Sequence, residues 1–124
     1  MANSRKARGA ETQRIVTEYL KEHGWPWATD AGAGRSGSDI LNTPGLGFEV
    51  KARRDLSLPS WLRQADNGSG VPIVVHRPDG FGPATIRLWP MTMRFVDGVE
   101  LLRKAGYATD VEMIEAEIVE GLEG

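Results

Sequence analysis

The chain has 124 residues, 15 Lys and Arg against 17 Asp and Glu, a formal net charge of −2 and no cysteine. That length suits one domain with one core, and an apolar fraction of 40% beside a charged fraction of 26% argues against wholesale disorder. Absent cysteine removes disulfides, thiolate zinc sites and thiol nucleophiles, and with His23 and His76 alone a histidine-rich metal site is excluded too.

In chain order, Ile15, Val16, Tyr19 and Leu20 recur at helical spacing and predict a helix over 7–23, stopped by Gly24. Trp25-Pro26-Trp27-Ala28-Thr29 reads as a short strand, and the Gly-rich residues 31–38 as a loop. Strands are expected over 39–41 and 46–52, joined by the turn Asn42-Thr43-Pro44-Gly45. Ser57-Leu58-Pro59 opens a second helix through Trp61, Leu62 and Ala65, ended by Asn67-Gly68. The β-branched run 71–77 reads as a buried strand, and Pro78-Asp79-Gly80 turns it toward a strand over 84–89, where Ile86 and Leu88 alternate with Arg87. Asp97 and Glu100 form a capping box for a helix over 99–105. Thr109 and Glu112 repeat it ahead of an acidic segment striped by Val111, Ile114 and Ile118. The order α-β-β-β-α-β-β-α describes an α/β chain with a central mixed sheet flanked by helices. A core over 1–107 and an acidic helix or tail over 108–124 are expected.

The net charge conceals a gradient. Residues 1–65 hold ten basic and seven acidic side chains, a net of +3, whereas residues 99–124 hold two and seven, a net of −5. Arg5, Lys6, Arg8, Arg35, Arg53, Arg54 and Arg63 crowd the first half, as a surface for nucleic-acid phosphates requires. Phosphate contacts of this type supply salt-dependent affinity without reading bases. The tryptophans read as core or interface residues, and His76, inside an apolar strand, as a core histidine.

The cluster that carries chemistry is Glu11, Gly37-Ser38-Asp39 and Glu49-Val50-Lys51. Glu49 and Lys51, two apart on a strand, share a face, while Phe48 and Val50 take the core side. The turn brings Asp39 alongside Glu49, and Glu11 projects from the first helix to close the group. Hard carboxylate oxygens select Mg²⁺, which takes one or two carboxylates and completes its shell with water and phosphate oxygens. A lysine beside it orients the attacking water or stabilises charge developing on phosphorus.

This pattern resembles the PD-(D/E)xK nuclease superfamily and, within it, the archaeal-type Holliday junction resolvases; residues 5–65 carry the likeness. Arg5-Lys6-Ala7-Arg8-Gly9-Ala10-Glu11 looks like their basic, Gly-containing start, Gly34-Arg35-Ser36-Gly37 like their serine-bearing loop, and Asp39 with Glu49-Val50-Lys51 like their core acid and E-x-K element. The resemblance implies a restriction-endonuclease-like core and a divalent metal held by Asp39, Glu49 and the Val50 carbonyl. It further implies Lys51 near the nucleophilic water, a supporting metal or orienting role for Glu11, and a polar contribution from Gln64. Ser36 or Ser38 supplies the active-loop hydroxyl, and Ser38 departs from the family by standing where proline is usual. The function so implied is Mg²⁺-dependent resolution of branched DNA, with Mn²⁺ substituting. A homodimer would make the two symmetric cuts, through apolar residues of 71–75 or 89–93. The alternatives are a flap, repair or restriction-type nuclease with the same residues, and a non-catalytic binding module. No run of about 20 apolar residues offers a membrane span, and MANSRKARG lacks a signal-peptide core, so a cytoplasmic setting is expected, on the nucleoid or in a phage-infected host.

Overall fold

The computed structural model describes residues 2–32 and 37–109. It divides into two compact units, residues 1–94 and 95–124, so the first ends at Arg94, earlier than the expected core over 1–107. The predicted acidic segment beyond residue 109 lies outside the described residues.

The first unit opens with helix α1 (Ala2–Glu22). It begins ahead of the expected residue 7, because no proline or glycine interrupts residues 2–8. Val16 and Leu20 bury one face, and Thr12 and Thr17, also buried, return their hydroxyls to the carbonyls of Arg8 and Gln13 at 2.6 and 2.8 Å. The carbonyl of Tyr19 meets Nδ1 of His23 at 2.6 Å, and the two rings stack 3.8 Å apart, which closes the helix before Gly24 at φ 119°.

The strand expected over 25–29 is mostly turn. β1 (Thr29–Asp30) is two residues long, and it pairs antiparallel with β2 (Ile40–Leu41). Pro26 lacks the donor that would extend the ladder, and Trp27 stands 78% exposed. β3 (Leu46–Lys51), β4 (Val71–His76) and β5 (Met91–Met93) form a mixed sheet in that order, β3 parallel and β5 antiparallel to the central β4. The crossover between the parallel strands carries α2 (Leu58–Ala65), as parallel connectivity demands. Pro72 is fully buried in the central strand. Val71 N–H bonds the Gly45 carbonyl and His76 N–H the Pro90 carbonyl, so alternate residues of β4 serve opposite neighbours. Pro72 falls on the β5 side, beyond the paired residues 73–75, where no donor is needed. The expected strand over 84–89 is instead a 3₁₀ segment, Pro83–Leu88. Pro83 starts it, and Thr85 locks it by taking the Gly82 N–H on its hydroxyl at 3.1 Å, outweighing the two-residue alternation of Ile86 and Leu88.

Register sorts the two faces of the sheet. Phe48 and Val50 stack with Ile73 beneath Val16 and Leu20 of α1, together with Ile40, Ala28 and Trp89. Val74 packs under Trp61 and Ala65 of α2 on the opposite face. Gly47, Glu49 and Lys51 share that second face. A Cβ on Gly47 would sit 3.0 Å from the Ala65 carbonyl, so the small residue sets how closely α2 approaches. In β4, the centre of the sheet, Pro72, Ile73 and Val74 are buried, and Val71 and Val75 partly so.

In the second unit, α3 (Phe95–Lys104) begins before the expected residue 99 and ends with Tyr107 N–H on the Leu102 carbonyl and Gly106 at φ 95°. No described helix is long and apolar enough to cross a membrane.

Candidate active site

β3 is the edge of its sheet on the side of β2, and the chemistry gathers there. Odd-numbered residues of β3 turn their backbone groups to β4: Lys51 accepts from Arg77 N–H at 2.8 Å and Gly45 from Val71 N–H at 2.8 Å. Even-numbered residues turn theirs outward to the segment carrying Asp39. Phe48 accepts from Asp39 N–H at 2.9 Å, and Val50 N–H donates to Asp39 Oδ2 at 2.7 Å. The same alternation presents the Val50 carbonyl on the Asp39 side. One strand edge thus fixes Asp39 by backbone and side chain together, and aims a carbonyl beside it.

Glu49 Oε1 and Lys51 Nζ lie 3.1 Å apart with side chains only 12% and 16% exposed, so the pair is recessed and not a solvated surface bridge. Burial pushes the Glu49 carboxyl up, the Asp39 charge pushes it further, and the bond and charge of Lys51 oppose both. Burial likewise pushes Asp39 up, against the Val50 N–H, the Lys51 charge and a bond from the Gln13 side chain. Two neighbouring carboxylates, each disfavoured as an anion, form a site that a cation would relieve.

The cavity over these groups encloses about 420 Å³. Its far wall is α1, which contributes Lys6, Gly9, Ala10 and Gln13, a stripe at helical spacing, together with Arg5; Ala52 and Arg53 continue the rim beyond β3. Gly9 and Ala10 keep that wall low, and Gln13 reaches Asp39. Glu11 does not line the cavity. Two residues from Gln13, it is turned by about 200° around the helix, and its Oε1 meets Nη1 of Arg77 at 3.4 Å. The expected convergence of Glu11 on Asp39 is therefore corrected: its partner is a buried arginine at the end of β4. Arg77 also donates Nη1 to Thr12 Oγ1 at 3.2 Å and Nε to the Phe81 carbonyl at 2.6 Å, with Trp89 5.7 Å beneath it. This network clamps α1 to the sheet. Gln13 and Arg77 are the two residues that sequence reasoning missed.

Of the remaining candidates, Arg5, Lys6 and Arg53 line the cavity, and Arg8 and Arg54 lie in an adjoining one. Arg63 and Gln64 are exposed on α2 and line neither cavity. Arg35 and Ser36 lie outside the described residues. Ser38 is buried with its Oγ accepting from Asn67 Nδ2 at 3.4 Å, and it does not line the cavity over Asp39 and Glu49. His76 is a core residue: its Nε2 meets the Arg53 carbonyl at 2.8 Å and its ring lies 5.3 Å from Trp61.

Among the described residues no three His, Cys, Asp or Glu side chains converge. The donor set is two carboxylates and one carbonyl, which fits a hard divalent cation that keeps several waters and suits neither zinc nor an all-protein calcium cage. Comparison with family models, with curated proteins and with solved structures gives no match.

Proposed function

We propose that the chain is a Mg²⁺-dependent endonuclease of the PD-(D/E)xK kind, built on a restriction-endonuclease-like core, which hydrolyses phosphodiester bonds in branched DNA, the four-way junction above all. The reading rests on one observation: Asp39, Glu49, Lys51 and the Val50 carbonyl meet at an open sheet edge, in a cavity walled by cationic α1.

Asp39, Glu49 and the Val50 carbonyl are the groups to hold the cation, Mg²⁺ or in its place Mn²⁺. When bound, such an ion polarises the phosphate and lowers the pKa of bound water. The chain supplies the rest. The Val50 N–H and the Gln13 side chain fix the orientation of the Asp39 carboxylate at the site. Lys51, held by Glu49 at 3.1 Å in a recess, places a positive charge where the phosphate turns more anionic as it is attacked. Arg5, Lys6 and Arg53 surround the opening and hold the strand by its phosphates, without reading bases. Four-way specificity draws on the resemblance of residues 5–65 to junction resolvases, and two symmetric cuts call for a homodimer. Such an enzyme works where DNA is, on the nucleoid or in an infected cytoplasm.

The test is cleavage of end-labelled four-way junction, flap and linear duplex of matched sequence, with Mg²⁺ and with EDTA. Paired symmetric nicks on the junction in Mg²⁺ alone are expected. Preferred cutting of flap or duplex would reassign the substrate, and no cutting of any would reject the hydrolase.

A further inference from the structure

Beside the catalytic cavity lies a second, of about 530 Å³, lined by Arg5, Arg8, Ala52, Arg53, Arg54, Asp55 and Asp79. The two share Arg5, Ala52 and Arg53 on their walls, so one groove runs from Glu49 and Lys51 past the end of β3 to Arg54. We infer that this second cavity is a discrete phosphate subsite, which grips the phosphodiester next to the one cut on the same strand. The inference rests on the hydrolase reading and gives its substrate a register.

Three observations carry it. One wall is anchored: Arg8 is half-buried and its Nη2 donates to the Pro78 carbonyl at 3.1 Å, while the rest of its fork can turn to a ligand. Behind Arg53, the buried His76 holds the backbone carbonyl at 2.8 Å, so the turn after β3 is pinned to the core. Four guanidiniums face two carboxylates, a local excess of two positive charges that suits a singly charged diester better than a polyphosphate. Finally, Lys51 and Arg54 are three residues apart, at most about 10 Å of extended chain, a span short enough for the second anion to be the neighbouring phosphate of the same strand. The cations around the site then act at defined positions and not as a diffuse field.

The experiment is a methylphosphonate scan. Junction strands carrying one neutral linkage at each position around the cut are assayed for single-turnover cleavage in Mg²⁺, and for binding by fluorescence anisotropy in EDTA, with wild type and Arg54→Ala. Arg54 is exposed, and its removal should leave the melting temperature unchanged. With wild type, one neutral linkage beside the cut should weaken binding about tenfold, as loss of one charge-assisted contact does. In Arg54→Ala the unmodified junction should already be weakened, and that linkage should matter no further. The salt slope should also fall by about 0.9 for the lost phosphate contact. Equal small losses at every position, or the same scan in both proteins, would overturn the subsite. Absence of cleavage everywhere would reject the hydrolase reading, while the anisotropy scan would still decide the subsite on its own.

Discussion

Asp39→Asn should make the metal-free protein more stable and the Mg²⁺-bearing protein less so. Burial lifts the Asp39 carboxyl above its ordinary range, and its charge helps lift Glu49. An acid whose folded pKa is raised contributes stability that is complete below its unfolded pKa, near 3.8 and 4.5 for the two groups, and lost as pH rises through the folded value. At pH 7 both carboxylates therefore weaken the metal-free fold. Asparagine removes one charge and keeps an oxygen for the Val50 N–H, which Asp39 accepts at 2.7 Å. Asp39→Ala removes the charge and the acceptor together, and orphaning that N–H costs about 1–3 kcal/mol. The asparagine variant should thus melt above the alanine variant by roughly 4–12 °C. In Mg²⁺ the wild type should gain about 2.7 kcal/mol at a hundred times its Kd, and the asparagine variant should gain less. Differential scanning calorimetry at pH 4, 5.5 and 7, with EDTA or Mg²⁺, reads all of this. An asparagine variant less stable than wild type in EDTA at pH 7, or a wild type indifferent to Mg²⁺, would refute the reasoning.

Glu11→Gln should lower cleavage only a few-fold, because Glu11 faces Arg77 and not Asp39; a loss of a hundredfold in a junction-cleavage assay would return it to the site. Gln13→Ala should cut the rate more than Glu11→Gln does, since Gln13 bonds the Asp39 carboxylate, and a titration of rate against Mg²⁺ should show a higher half-saturating concentration. Arg77→Leu should destabilise by about 3–5 kcal/mol through its unpartnered neighbours, measured by urea unfolding, with Thr12 and the Phe81 carbonyl left without a donor. Gly70→Ala should cost about 2–4 kcal/mol, because a Cβ there meets the Gly45 carbonyl carbon and oxygen at 2.2 Å and Gly70 sits at φ 127°; thermal melting reads it.

The sequence carried the helices and the buried strands because their apolar spacing is long and repeated. β3, α2 and β4 fall within a residue or two of expectation. The short pieces were less legible. Two-residue strands such as Thr29–Asp30 offer no period to read, and the alternation of Ile86 with Leu88 cannot be told from a 3₁₀ turn until Thr85 is seen to bond Gly82. Asp39 and Glu49-Val50-Lys51 were legible as a group because a strand, a turn and a two-residue period place them together. Glu11 misled for a reason of helical angle: chemistry favoured a third carboxylate, yet the stripe Lys6, Gly9, Ala10 and Gln13 was already visible at spacings of three and four and pointed to the other face. Nothing marked Arg77, since an arginine closing an apolar strand reads as its solvated end, whereas here it is 7% exposed beneath α1.

The most direct test of the account is the single-turnover rate of strand cleavage on pre-bound four-way junction in Mg²⁺, for wild type against Lys51→Ala. Lys51 lies 3.1 Å from Glu49 and lines the proposed active-site cavity. Its loss should slow cleavage by about 10²–10³-fold, as removal of one preorganised electrostatic donor does, while anisotropy shows junction affinity within a few-fold of wild type. A variant that binds and cuts at the wild-type rate would contradict the proposed site.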